Sequence, residues 1–145
     1  MRKTTYSYND NGNISEIINS RRGYSIGSEK YEYDISGKIS SVLHYDMNGD
    51  LEKTITYLYD DALARKTKII TDKSKKLIRR IETRNNSQNK KIIQATFDSK
   101  SRLTQKKTIG YNKNGHLHRV HDYDMLKPSE AGESILINII TYEYD

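Results

Sequence analysis

The 145-residue chain contains no cysteine and no tryptophan, and only one proline and one phenylalanine. Without cysteine there is no disulfide framework, no thiolate metal site and no cysteine nucleophile. No run of about 18 apolar residues occurs, so no membrane-spanning helix is expected. The opening Met1-Arg2-Lys3-Thr4-Thr5 leads into tyrosines and polar residues, not into the apolar stretch of a signal peptide. The expected location is therefore cytoplasmic, or the cell surface or exterior if the chain is a segment of a longer repeat protein. Apolar bulk is scarce as well. Leu, Ile, Val and Phe total 30 residues, close to the level of roughly 20% below which charged chains tend not to fold. That excludes a thick core, while the length fits one domain over residues 1–145.

What is present instead is a repeat. An aromatic residue precedes Asp or Asn, two variable residues follow, then Gly or a polar substitute, one more residue, and Ile or Leu. Clear copies run from Tyr8-Asn9 to Gly12 and Ile14, from Tyr33-Asp34 to Gly37 and Ile39, from Tyr45-Asp46 to Gly49 and Leu51, and from Tyr111-Asn112 to Gly115 and Leu117. Weaker copies begin at Tyr59-Asp60, Thr71-Asp72 and Phe97-Asp98. Asn86, Asp124 and Asp145 extend the series. From Asp34 through Asp46, Asp60, Asp72, Asn86, Asp98 and Asn112 to Asp124 the steps alternate between 12 and 14 residues. The unit is thus about 26 residues with two turns. A degraded anchor falls near Ser20-Arg21-Arg22-Gly23, and an insertion near Pro128-Ser129-Glu130-Ala131-Gly132.

Each anchor predicts a tight turn. An Asp or Asn side chain accepts from the backbone N–H two residues on, and Gly tolerates positive φ. The intervening segments have the length and period-two rhythm of strands. Leu51, Ile55, Tyr57 and Tyr59 share one parity, and Glu52, Thr54 and Thr56 the other. This patterning predicts an all-β chain, an antiparallel meander of about eleven strands built from tandem β-hairpins, with one face buried and one wetted. A single sheet of that width is expected to curl or to form an open barrel, its exposed edges protected by lysines and arginines. Helix is disfavoured throughout, apart from a short turn near Ser129 to Glu133.

The segment Tyr31-Glu32-Tyr33-Asp34-Ile35-Ser36-Gly37-Lys38-Ile39 resembles the tyrosine–aspartate (YD, or RHS-type) repeats of bacterial surface and toxin-associated proteins. The motif is sharp near residues 6–14, 31–59 and 111–117. Across residues 60–110 the resemblance is one of spacing. It implies a continuous β-sheet, which in long members curls into a shell around a toxin cargo, and a structural or binding role without catalysis.

Charge is uneven. From Arg65 to Lys107 there are 15 basic and 3 acidic residues, against 10 basic and 16 acidic elsewhere. A concentrated basic stretch points to an anionic macromolecular partner, either an acidic protein or nucleic acid. The candidate contact residues are Arg79, Arg80, Arg84, Lys90, Lys91, Lys106 and Lys107. Tyr33, Tyr45, Tyr57, Tyr59 and Tyr111 are candidate aromatic contacts. The bland reading of the same cations is a solvated outer face that keeps sheets from stacking on one another.

Other chemistry has less support. His116, His118, His121, Asp122 and Asp124 cluster in sequence, but His121 has opposite parity to the first two histidines, and no metal site is expected. Asp46, Asn48 and Asp50 lack the Gly and Glu positions of a calcium loop. No phosphate-binding loop or nucleophile elbow occurs. The expectation is a non-enzymatic β-repeat binding module without cofactor. The alternatives are a structural segment of a longer YD-repeat protein and a small inhibitor or immunity-like protein that blocks an acidic target.

Overall fold

The computed structural model describes residues 1–128 and 134–143. Eleven strands follow one another: β1 (Arg2–Tyr8), β2 (Ile14–Arg21), β3 (Tyr24–Tyr33), β4 (Ile39–Tyr45), β5 (Leu51–Asp60), β6 (Arg65–Asp72), β7 (Leu77–Asn85), β8 (Lys91–Phe97), β9 (Leu103–Tyr111), β10 (Leu117–Pro128) and β11 (Ser134–Thr141). They form one antiparallel sheet in sequence order, a meander that does not close into a barrel. No helix occurs among the described residues, hence none long and apolar enough to cross a membrane. The short turn expected near Ser129 to Glu133 and the anchor at Asp145 lie outside the described residues.

The chain divides into two compact units. One holds Met1–Leu58 with Ile69–Ile78, the other Tyr59–Lys68 with the described residues from Arg79 onward.

Seven anchors build the same turn. In each, the side-chain Oδ1 accepts from the backbone N–H groups two and four residues on, and the main-chain carbonyl accepts from the third. At Asp34 these donors are Ser36 (2.9 Å), Lys38 (3.0 Å) and Gly37 (3.0 Å). Asn9, Asp46, Asp72, Asn86, Asp98 and Asn112 repeat the pattern. One side-chain oxygen thereby satisfies two donors that the turn would otherwise leave unpaired. The third residue after the anchor has positive φ. Gly supplies it at position 37 (φ 78°), and Lys75, Asn89 and Ser101 adopt it as the polar substitutes, with φ 64°, 58° and 60°.

The rest of the motif has an equally local cause. A register shift falls at the residue before the anchor in six hairpins, and that residue faces the one five places after the anchor. The resulting pairs are Tyr8–Ile14, Tyr33–Ile39, Tyr45–Leu51, Phe97–Leu103 and Tyr111–Leu117, with Asn85–Lys91 as the polar copy. The repeat is thus an aromatic–aliphatic cross-strand pair closed by an Asx turn. Two tyrosine hydroxyls also reach across a hairpin. Tyr33 donates to the Ile14 carbonyl (2.7 Å) and Tyr111 to the Lys91 carbonyl (2.8 Å), and each acceptor sits five residues after an earlier anchor.

Four expectations need correction. Asp124 makes no turn: it lies within β10, opposite Gln105 and Ile135. It keeps only the contact to the N–H two residues on, that of Leu126 (2.9 Å). β10 runs on past this anchor to Pro128. Asp60 ends β5 and accepts instead from the Leu63 N–H (3.1 Å), while Arg65 pairs with its other oxygen (3.1 Å). The faces are not divided into one buried and one wetted. Aliphatic doublets such as Ile17-Ile18, Val42-Leu43 and Ile92-Ile93 place one residue on each side of a strand, so both sides are half-buried. Among the described residues only Val42 (5% exposed) and Ile55 (8%) are buried apolar side chains, and they face each other across β4 and β5. Finally, charge guards β1 through Arg2 and Lys3, but β11 carries none.

Candidate functional site: the arginine face of the second unit

Residues opposite one another in an antiparallel pair share a face, so the registers sort the basic residues. One row crosses the second unit as Arg84, Ile93, Thr108, His121 and Ile139. The next is Glu82, Ala95, Lys106 and Tyr123; Arg80 with Phe97 lies beyond this second row, and Gly110 with Arg119 beyond the first. The opposite side carries the rows Thr83, Gln94, Lys107, Asp122, Asn138 and Ile109, Val120, Ile140. Strand alternation sends Arg79 to that side.

The seven candidate contact residues therefore do not form one patch. Arg80, Arg84 and Lys106 share the arginine face, and Arg79 and Lys107 lie behind it. Lys107 holds Asp122 at 2.7 Å, and Asp122 is only 8% exposed, so this lysine balances an internal charge. Lys90 points into the neighbouring turn, where its ammonium donates to the Gly115 carbonyl (2.5 Å) and lies 5.4 Å from the Tyr111 ring centroid. Lys91 is exposed and donates to Gln94 (3.2 Å).

Arg119 completes the face and lay beyond the sequence window that drew attention to charge. Its register opposite Gly110 was the available signal, but the shift between Leu117 and Arg119 hid it. Against Arg80, Arg84, Lys106 and Arg119 the strand rows of this face carry only Glu82, which pairs with Arg80 at 3.3 Å. Arg80 also covers the Phe97 ring, 4.1 Å from guanidinium carbon to centroid. Because Gly110 has no side chain, a depression of about 260 Å³ opens among Thr108, Ile109, Gly110, Arg119 and His121. His121 packs edge-on against Tyr123, its Nδ1 3.3 Å from the phenol oxygen, and its buried Nε2 has no hydrogen-bond partner.

The candidate aromatic contacts have internal roles. Besides the Tyr33 and Tyr111 hydroxyl bonds, Lys30 sits over Tyr45 and Lys66 over Tyr59, each 5.4 Å from the centroid. Burial lowers the Lys66 ammonium pKa, with Lys68 adding to the effect. Tyr57 is half-buried, and burial followed by the Glu29 carboxylate raises its pKa. Tyr31, on the same side, is pushed up to about 12, first by burial and then by its hydrogen bond to Glu29 (2.5 Å), and stays neutral. Among the described residues no three His, Asp or Glu side chains come together to hold a metal ion. His121 faces one side of β10, and Asp122 and Asp124 the other.

No protein-family model matches the chain, and no curated protein matches its sequence. Among solved structures it is similar to the crystal structure of a protein with unknown function from Bacteroides fragilis NCTC 9343. The two share 12% sequence identity with a TM-score of 0.50, over 98% of this chain and 92% of that one. At that identity the likeness concerns the fold alone.

Proposed function

We propose that this chain is a non-enzymatic YD-type β-repeat module whose arginine face binds an acidic protein. The observation that carries the reading is that Arg80, Arg84, Lys106 and Arg119 share one face, where Arg119 lines the open depression at Gly110 and Glu82 is the lone acidic residue in those strand rows. A carboxylate side chain of the partner enters beside Gly110 and pairs with Arg119, while Arg84 and Lys106 steer its approach. Nucleic acid fits the face less well. Single-strand binding needs open aromatic platforms for the bases, whereas Phe97 is covered by Arg80 and Tyr123 packs against His121.

The test is capture of partners from the native host by the wild type and by an Arg84→Glu/Lys106→Glu/Arg119→Glu variant. An Arg79→Glu variant serves as a control on the opposite side. Capture of an acidic protein that resists nuclease and is lost only in the triple variant is the expected result. Gly110→Val is a second probe, because a Cβ there meets nothing closer than the Arg119 carbonyl oxygen at 3.9 Å. It should weaken capture with the fold intact. Nuclease-sensitive capture would replace the reading with a nucleic-acid one, and capture unchanged in the triple variant would end it.

A further inference from the structure

Three of the seven Asx turns carry an Asn-Gly step two residues after the anchor: Asn11-Gly12, Asn48-Gly49 and Asn114-Gly115. The glycine suits the positive φ of that position, 76°, 84° and 77° in the three turns. It also lacks the side chain that would shield its backbone nitrogen from the asparagine before it. All three asparagines are exposed, and asparagine is among the chemically labile residues. The turns differ in how the glycine nitrogen is held. Its N–H donates to the anchor carbonyl at 2.9 Å in Gly12 and Gly115, but at 3.2 Å in Gly49. At Gly115 the Lys90 ammonium also donates to the glycine carbonyl (2.5 Å) and occupies the space where a side chain would begin. Around Gly49 a Cβ would meet nothing within 4 Å. A longer bond in an exposed turn opens more readily.

We propose that Asn48-Gly49, in the turn between β4 and β5, is a site of spontaneous deamidation that forms an isoaspartyl linkage and loosens that hairpin. Once the N–H is free of the Asp46 carbonyl, hydroxide removes its proton and the Gly49 nitrogen attacks the Asn48 side-chain carbonyl carbon. A nitrogen–carbon bond forms, the bond from that carbon to the side-chain amide nitrogen breaks, and ammonia leaves with a proton from water. Water then opens the five-membered imide. Cleavage at the side-chain carbonyl gives aspartate. Cleavage at the main-chain carbonyl gives isoaspartate, whose backbone runs through the Cβ and Cγ of residue 48. That route inserts one extra carbon between the N–H groups of residues 48 and 50, which Asp46 Oδ1 holds at 2.8 Å and 3.0 Å. One oxygen then no longer spans both donors, and the Tyr45–Leu51 pair that closes the hairpin loses its register. The same hairpin sets Val42 opposite Ile55, so the loss reaches the buried apolar pair of the first unit. The inference is independent of what the arginine face binds.

The test is to incubate the folded protein at mildly alkaline pH and to map its peptides by mass spectrometry. The mass gain of an amide turned to an acid should appear at Asn48 several times sooner than at Asn114. Labelling by an isoaspartyl methyltransferase should mark the Asn48 peptide. The isoaspartyl fraction should melt at lower temperature and exchange its Val42 and Ile55 amides faster than fresh protein. Asn48→Ser, which copies Ser36-Gly37, should abolish both the mass gain at this turn and the loss of protection. Asn48→Asp carries the charge of the product without lengthening the backbone, and should keep the slow exchange. No conversion at Asn48, or conversion at Asn114 as early as at Asn48, overturns the proposal. So does an isoaspartyl fraction that exchanges as slowly as fresh protein, and so does an Asn48→Asp variant that exchanges as fast as the isoaspartyl fraction.

Discussion

At the scale of the residue, the anchor oxygen matters and the charge on it does not. Asn9, Asn86 and Asn112 build the same turn as Asp34, Asp46, Asp72 and Asp98, because each offers one Oδ1 to two backbone donors. Asn112→Ala should therefore cost about 1 kcal/mol, and Asn112→Asp much less, in chemical denaturation. Charge enters only through pH. Hydrogen bonds from the Ser36 side chain and the neighbouring backbone hold the Asp34 carboxyl below its ordinary 3.8, and bonds from the Arg102 backbone and side chain do the same for Asp98. A carboxyl depressed by folding contributes stability that is complete above the unfolded pKa and is lost as pH falls through the lower folded value. Asp34→Asn/Asp98→Asn should accordingly flatten the fall in melting temperature between about pH 5 and pH 2, by a modest, salt-sensitive amount because both groups are exposed. These anchors were legible in the sequence because an Asx turn is made within five residues. Asp60 and Asp124 show the limit. Each keeps the acid, but Arg65 claims one and a lengthened hairpin strands the other.

At the scale of the element, a hairpin is closed by the pair formed between the residue before the anchor and the one five after it. The tyrosine hydroxyl then ties that hairpin to an earlier one. Tyr33→Phe keeps the ring against Ile39 and leaves the Ile14 carbonyl without this donor, so the expected cost is about 1 kcal/mol by thermal or urea melting. Phe97 already lacks the hydroxyl and instead carries Arg80 on its ring. In β9 and β10, Lys107→Met would leave Asp122 buried without its cation. Because the lysine side chain is 35% exposed, the loss should be about 2 kcal/mol, below that of a fully buried pair, and a second change of Asp122→Asn should restore part of it. The pairing of Lys107 with Asp122 was invisible in the sequence, since 14 residues and a hairpin separate them.

At the scale of the whole molecule, each strand's sheet neighbours are those next to it in sequence. Stability therefore rests on adjacent pairs, as in other repeat arrays. Within the first unit every residue of β1 is exposed, whereas β4 and β5 hold Ser41, Val42 and Ile55, the most buried residues there. Amide hydrogen exchange should be fastest in β1 and slowest around Val42 and Ile55, with a graded profile between them. Uniform protection from β1 to β5 would contradict neighbour-only stabilisation. The amino-acid sequence by itself determined the strands, most of their turns and the meander, because Asx turns, aromatic–aliphatic pairs and strand alternation act over a few residues. Only the tertiary structure decided which cations share a face and which are spent on Asp122 or the Gly115 carbonyl. Those outcomes depend on cross-strand register, and a one-residue shift beside a turn moves a side chain from one side of the sheet to the other.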